Sequence, residues 1–383
     1  MVEQYKLKMP KAVYAGTNAL DNIGEIIGGS KSIAIFTDKG VIGAGLLDLV
    51  IGRLDKDKTE IAVFDELPTE PTYGEVQEIV DGFKKRTFDL IIAVGGGSVM
   101  DTAKLASVLV TEDYDIRDLL DNPAQARKSI RTLMIPTTAG TGSEATPNSI
   151  VVVPEKELKV GIVNDEMIAD HVILDPLVIK NLPRKIAAAT GIDALAHAIE
   201  CYTSKKANPF SDTFALEALK MIFDNIEKAC DSSDDMEAKG SMLVASFYAG
   251  VAITTSGTTA VHALSYPLGG KYRIPHGVSN AMMLVPVMKF NEPVCRGLFA
   301  NIYDRIHAEG GSSSEEEKSS WVIDRLDAIV KNLDIPTSLS SYGIGDKDLE
   351  TLVESGMQVQ RLLVNNRREV TADDARALYK QLL

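Results

Sequence analysis

"DLIIAVGGGSVMDTAK", residues 89–104, sets three glycines between an apolar run and a stretch with helical periodicity. The run Leu90–Val94 reads as a buried strand, short and without polar interruption. Gly95, Gly96 and Gly97 carry no Cβ, so backbone N–H groups there can approach a diphosphate closely. The N-terminus of the helix that follows favours negative charge. A tight strand-to-helix turn without a ligand accounts for the same residues. Three consecutive glycines exceed what such a turn needs, which favours the ligand. The spacing is not G-x-G-x-x-G, so a dinucleotide does not follow from it alone.

The same alternation extends outward from this unit. "SIAIF" (32–36) runs into "TDKG", "EIAVF" (60–64) into "DELPTEPT", and "RTLMIPTT" (131–138) into "AGTGSE". Helix-period stretches lie between, including "TYGEVQEIVDGFKKR" (72–86) and "VMDTAKLASVLV" (99–110). Strand, turn and helix repeated in this way predict a doubly wound, mostly parallel sheet that binds ligands at the carboxyl ends of its strands. Beyond about residue 180 strand signals nearly vanish and long helical patterns follow, such as 211–230 and 315–334. The "LDPLVIKNLPRK" stretch (174–185) marks the change. The expected architecture is therefore an α/β domain over residues 1–180 and an all-helical domain over 181–383. "EGGSSSEEEK" (309–318) reads as an exposed loop feeding a helix.

Composition narrows the class of ligand. A formal net charge of −14 argues against a nucleic acid and against an anionic membrane surface as partner, leaving a small molecule. The chain has no run of eighteen apolar residues and no secretory pattern in "MVEQYKLKMP", so a cytoplasmic location without a membrane span is expected. Cys201, Cys230 and Cys295 form no CxxC pair and read as free thiols of a reducing compartment.

Two further polar groups gather at predicted strand ends. Asp38, in "FTDKG", could accept hydrogen bonds from a ribose diol and repel an added 2′-phosphate. It could equally cap a turn or helix. In "PTTAGTGSEAT" (136–146), Thr137, Thr138, Thr141 and Ser143 could line the same crevice.

The helical half holds a different chemistry. In "TGIDALAHAIECY", Asp193 and His197 stand at i and i+4, one turn apart and off the stripe formed by Ile192, Leu195, Ala196 and Ile199. They could share one cation, or simply hydrogen-bond to each other. Farther on, "HALSYPLGGKYRIPHG" (262–277) carries His262 in a helical pattern that Pro267 and two glycines end. His276 precedes a second apolar helix. A helix–turn–helix can fold these two imidazoles together. With Asp193 and His197 they would make one carboxylate and three imidazoles, a set that suits Fe²⁺ or Zn²⁺ rather than Mg²⁺ or Ca²⁺. His171 and His307 read as surface or packing residues.

Taken in order, "FTDKG", "GGGSVMDTAK", "IPTTAGTGSE", "GIDALAHAIE" and "PHGVSNA" resemble the iron-containing (group III) alcohol dehydrogenases, within the wider glycerol dehydrogenase and dehydroquinate synthase fold group. The resemblance covers nearly the whole chain. It implies a dinucleotide-binding domain followed by a metal-binding domain, with Asp193, His197, His262 and His276 as ligands of one divalent metal, Fe²⁺ first and Zn²⁺ second. It also implies NAD(H) cradled by Gly96, Gly97, Thr137 and Thr138, with Ser98, Asp101, Ser143 and Lys159 nearby and Asp38 at the position that goes with NAD. A homodimer or higher homo-oligomer is the family's common state.

Two positions depart from the family's pattern. Tyr266 stands where many members carry a second histidine, so proton relay or substrate contact there would fall to Tyr266, water or the cofactor ribose. Glu70, in "PTEPT", replaces an amide that would face the cofactor. The expected activity is metal-dependent, NAD(H)-linked oxidation of a small primary alcohol or diol, or reduction of an aldehyde or hydroxy acid semialdehyde. The metal would act as Lewis acid. A lyase of the dehydroquinate synthase type and a non-catalytic NAD- or metal-binding protein are the rival classes. The first would need a denser basic cluster than Lys271, Arg273 and Arg296 offer.

Overall fold

Eight strands form among the described residues: β1 (Ala12–Ala15), β2 (Ser32–Phe36), β3 (Glu60–Phe64), β4 (Leu90–Gly95), β5 (Arg131–Pro136), β6 (Asn148–Val153), β7 (Leu158–Val163) and β8 (His171–Leu174). The computed structural model describes residues 4–110, 113–156, 158–307 and 313–383. Six strands make one sheet in the order β1-β8-β5-β4-β2-β3, every neighbouring pair parallel. All six residues of β4 are buried, because helices and loops cover both faces of a central parallel strand. β2 and β5 follow the same rule, whereas β3 at the edge buries only Ala62 and leaves Val63 exposed.

The chain runs from β2 outward to β3, then returns past β2 to β4 before continuing to β5. Adjacent strand ends from opposite windings therefore meet at β2 and β4, the place where open α/β sheets leave a crevice. Thr37 ties the two ends by donating its hydroxyl to the Val94 carbonyl at 2.9 Å. The helix Tyr73–Phe83 starts on a capping box, with Thr72 N–H donating to Glu75 and Glu75 N–H donating back to the Thr72 hydroxyl. β6 and β7 form a separate antiparallel pair, and the patterns quoted above did not single out either of them, nor β1 or β8.

The unit holding these strands spans Lys8–Leu182; the second, Pro183–Leu383 with residues 4–7, is helical. Its long helices are Arg184–Thr203, Pro209–Asp231, Met236–Thr255, Ala260–Tyr272, His276–Ile306 and Glu315–Asn332. The apolar stripe expected on Arg184–Thr203 is in fact a helix buried on every side from residue 191 to 203. Pro267 does not end its helix either, which continues through Gly269 and Gly270 to Tyr272.

Packing outweighs the proline. Pro267 is buried, and the Leu264 carbonyl in the turn that its ring disturbs accepts the buried Tyr379 hydroxyl at 2.7 Å. The exit lies at Arg273, left-handed at φ 55°, where Ile274 N–H bonds back to the Leu268 carbonyl at 3.2 Å. His276 opens the next helix rather than preceding it, with Pro275 at its N-cap. Of the loop expected at 309–318, residues 309–312 lie outside the described residues; Ser314 caps the helix Glu315–Asn332 through a capping box with Glu317.

Candidate functional site

In the helical unit, the site starts from a close approach of two helices. A Cβ at Gly277 would lie 2.0 Å from the Ala189 carbonyl oxygen, so only glycine lets the first turn of His276–Ile306 rest against Arg184–Thr203. That contact carries His276 to the face of Asp193. The Asp193 Oδ1 atom lies 3.7 Å from His197 Nε2, 3.5 Å from His262 Nε2 and 3.6 Å from His276 Nε2. Ligand atoms of Asp193, His262 and His276 all fall within 4.8 Å of one another. His197 joins through Asp193 and stacks on His262, ring centroids 4.5 Å apart. The four residues proposed from spacing are thus brought together, Asp193, His197 and His262 buried and His276 partly open.

Glu200, which spacing alone did not single out, organises this cluster. It stands one turn beyond His197 and has no exposed surface. Its Oε1 accepts from Thr259 N–H (2.9 Å), the Thr259 hydroxyl (2.7 Å), Val261 N–H (2.8 Å) and His262 N–H (3.3 Å). The helix Ala260–Tyr272 has no cap from its own Thr259, so a carboxylate 59 residues away satisfies its orphan amides. The other oxygen pairs with His262 Nδ1. Glu200 thus holds the Nδ1 proton, and when the ring gives up its second proton Nε2 presents a lone pair toward Asp193.

The charges balance accordingly. Burial pushes the Asp193 carboxyl up, but His197, His276 and His262 outweigh it and hold it far below the usual carboxylate range. Burial lowers His262, yet Glu200 and Asp193 raise it to about 9. Asn280, one turn after His276, donates its amide to Asp193 Oδ1 at 2.7 Å. Tyr266 follows His262 by one turn, its ring centroid 6.1 Å from that of His276. Burial raises its hydroxyl, and the nearby charge of Arg361 opposes the rise only in part, so it stays protonated.

The α/β unit gathers the second set. The three glycines do different work. A Cβ on Gly95 would meet Val99 at 2.6 Å, so that position serves the turn itself. At Gly97 it would press on Thr141 at 3.0 Å, whereas at Gly96 the nearest atom is the Thr138 hydroxyl at 3.6 Å, ordinary contact. Gly96 stands at the N-cap of the helix Gly97–Leu109, whose first amides have no side-chain cap. Thr137 N–H bonds the Gly95 carbonyl at 3.0 Å, which holds the loop 136–146 beside this mouth.

The remaining candidates sort by partner. Asp38 accepts from Val41 N–H at 2.9 Å, so the capping role is present whatever else the carboxylate does. Glu70, left-handed at φ 53°, takes the Lys159 ammonium at 2.6 Å and donates its N–H to the Ser98 hydroxyl at 3.3 Å. Asp101 and Ser143 are spent on each other and on Lys104, a fully buried lysine missed in the sequence. Lys104 Nζ donates to Ser143 at 2.7 Å and to the Asn148 carbonyl at 2.7 Å. Burial lowers that ammonium, and Asp101 counters the fall.

Comparison with known proteins accords with both halves. The model of the iron-containing alcohol dehydrogenases matches residues 10–176, and that of the C-terminal part of the Fe-containing alcohol dehydrogenase family matches residues 187–383. Long-chain-alcohol dehydrogenase 1 of Geobacillus thermodenitrificans is 35% identical over 380 residues, 98% of this chain and 96% of that protein. The chain belongs to the iron-containing alcohol dehydrogenase family. Members of this family are oxidoreductases of alcohols and diols, and this chain is an enzyme of that kind. Its fold matches the crystal structure of a 1,3-propanediol oxidoreductase with a TM-score of 0.93, at 29% identity and complete coverage of both chains. Sulfoacetaldehyde reductase from Bifidobacterium kashiwanohense, solved with NAD⁺, matches at 0.89 and 27% identity, covering 100% of this chain and 99% of that one.

Proposed function

We propose that this iron-type alcohol dehydrogenase interconverts a small primary alcohol, diol or hydroxy acid with its aldehyde, using NAD(H) and one divalent cation, Fe²⁺ or else Zn²⁺. Support comes first from the convergence of His197, His262 and His276 Nε2 on Asp193 Oδ1, with Glu200 fixing the His262 tautomer. One carboxylate oxygen and three imidazole nitrogens fit a borderline divalent cation better than Mg²⁺ or Ca²⁺. When bound, such a cation supplies Lewis acidity toward the substrate oxygen, and NAD(H) supplies or takes the hydride.

The chain's own residues do the rest. Asp193, itself buried, offsets cationic charge, and Glu200 keeps His262 from rotating. Tyr266, steadied by Arg361, touches substrate or passes it a proton. Gly96, Gly97, Thr137, Thr138 and the amides of Gly97–Leu109 hold the diphosphate, with Ser98, Thr141 and Lys159 at the rim. Asp38 disfavours a 2′-phosphate. The lyase alternative gains nothing from Arg296, which pairs with Glu292 at 2.7 Å.

The deciding experiment is cation content together with NADH-dependent reduction of a panel of small aldehydes, before and after chelation. Activity that falls with the cation and returns with Fe²⁺ or Zn²⁺ is expected. Turnover unchanged in cation-free protein would overturn the proposal.

A further inference from the structure

Asn280 is the buried group at the cation site that no ordinary packing role explains. It lies on the helix His276–Ile306, one turn after His276, with no exposed surface. Its Nδ2 is 2.7 Å from Asp193 Oδ1, 3.1 Å from His262 Nε2 and 3.4 Å from His276 Nε2. The amide nitrogen thus faces a carboxylate oxygen and two imidazole nitrogens, while the other end of the same amide, Oδ1, is buried without a hydrogen-bond partner. Buried acceptors are seldom left unmade, and a planar amide exchanges its oxygen and nitrogen by turning about one bond.

The 2.7 Å contact with Asp193 is a hydrogen bond, but the spacing to the two imidazoles is that of donors around one cation. Donors that share a cation at about 2.1 Å stand roughly 3.0–3.4 Å apart in octahedral or tetrahedral arrangements. The Asn280 amide atom meets the two imidazoles at that spacing. A positive charge at the centre of the four ligands would repel the amide N–H₂ and attract its oxygen.

Resting on the cation reading above, we propose that Asn280 is a fifth oxygen donor of this site. Its nitrogen bonds to Asp193 while no cation is held, and the amide turns Oδ1 toward the cation once one binds. The position is readable from sequence as an i, i+4 partner of His276, the same spacing that relates Asp193 to His197.

The test compares wild type, Asn280→Ala and Asn280→Asp as full-length protein. Folding is checked by circular dichroism, Zn²⁺ affinity by chelator competition, and coordination by the visible spectrum of the Co²⁺-loaded protein. Expected is a ten- to hundred-fold loss of Zn²⁺ affinity in Asn280→Ala, a Co²⁺ spectrum shifted toward lower coordination number, and recovery of both in Asn280→Asp, which restores an oxygen. A purely structural amide that only donates to Asp193 predicts the opposite order, with Asn280→Asp the worse variant because it sets two carboxylates together. That order, or wild-type affinity and spectrum in Asn280→Ala, overturns the proposal. Wild type that takes up neither cation overturns the cation reading itself.

Discussion

Burial pushes the Glu144 carboxyl up to about 7, and backbone hydrogen bonding and the Lys104 ammonium pull it back only in part. The ordinary value is 4.5, so between pH 4.5 and 7 the unfolded chain has released a proton that the folded chain still holds. Stability from this group is therefore complete below about pH 4.5 and is lost as pH rises through 7, by about 3 kcal/mol in all. Glu144→Gln keeps the neutral shape at every pH. It should match wild type in urea unfolding at pH 5 and exceed it at pH 8; identical pH dependence of the two midpoints would show that Glu144 ionises freely. Glu200 acts in the other direction, as an ionised group whose oxygens are all engaged. Glu200→Gln leaves an acceptor for the amides of Ala260–Tyr272 but removes the charge that raises His262. Cation affinity should fall about 10- to 100-fold, read by chelator competition, and an unchanged affinity would assign Glu200 to helix capping alone.

Elements are placed by close approaches that particular residues permit. Gly277→Ala sets a Cβ against the backbone of Ala189, which cannot yield as a flexible side chain does. The first turn of His276–Ile306 must then shift, at a cost of about 1–3 kcal/mol, and His276 moves with it. Thermal unfolding should come earlier and cation content should drop together; a variant with full cation content would mean the helices part without disturbing the site. The glycine turn offers a paired contrast. Gly95→Ala collides with Val99 at 2.6 Å and should destabilise the fold, whereas Gly96→Ala meets only ordinary contacts and should fold normally. If Gly96 faces a diphosphate, the second variant alone loses NADH binding at wild-type stability, as fluorescence titration would read.

These elements also mark what sequence carries. β2, β4, β5 and the helix after the glycines are legible because a strand covered on both faces must be an apolar run. β1 and β8 have four residues each, too short for periodicity, and Pro267 misleads because tertiary packing overrides its local preference. Asp193, His197, His262 and His276 are legible through their spacing and rarity. Glu200 and Lys104 are not, since a glutamate 59 residues from the amides it caps and a lysine 39 residues from its serine acquire meaning only when the chain closes.

At the scale of the molecule, the two chemistries divide by unit. Every candidate for the dinucleotide lies within Lys8–Leu182, and every candidate for the cation within Pro183–Leu383. Among the described residues no helix is long and apolar enough to cross a membrane. With a net charge of −14, the binding of a dianionic cofactor proposed above would fall to local amides and hydroxyls rather than to the overall field. Because the amides at Gly97 and the Thr138 hydroxyl owe nothing to the cation, removing it should leave NADH affinity nearly unchanged, within about twofold if the coupling free energy is below about 0.4 kcal/mol. Aldehyde reduction should be lost in the same sample and return on adding Fe²⁺ or Zn²⁺. The converse holds for Gly96→Ala, which should keep its cation while failing to bind NADH. Fluorescence titration of NADH into chelated and reloaded protein, beside cation content of Gly96→Ala, measures both halves. Loss of NADH binding on chelation would show that the cation orders the cofactor's site as well, and the division of labour between the units would then be wrong.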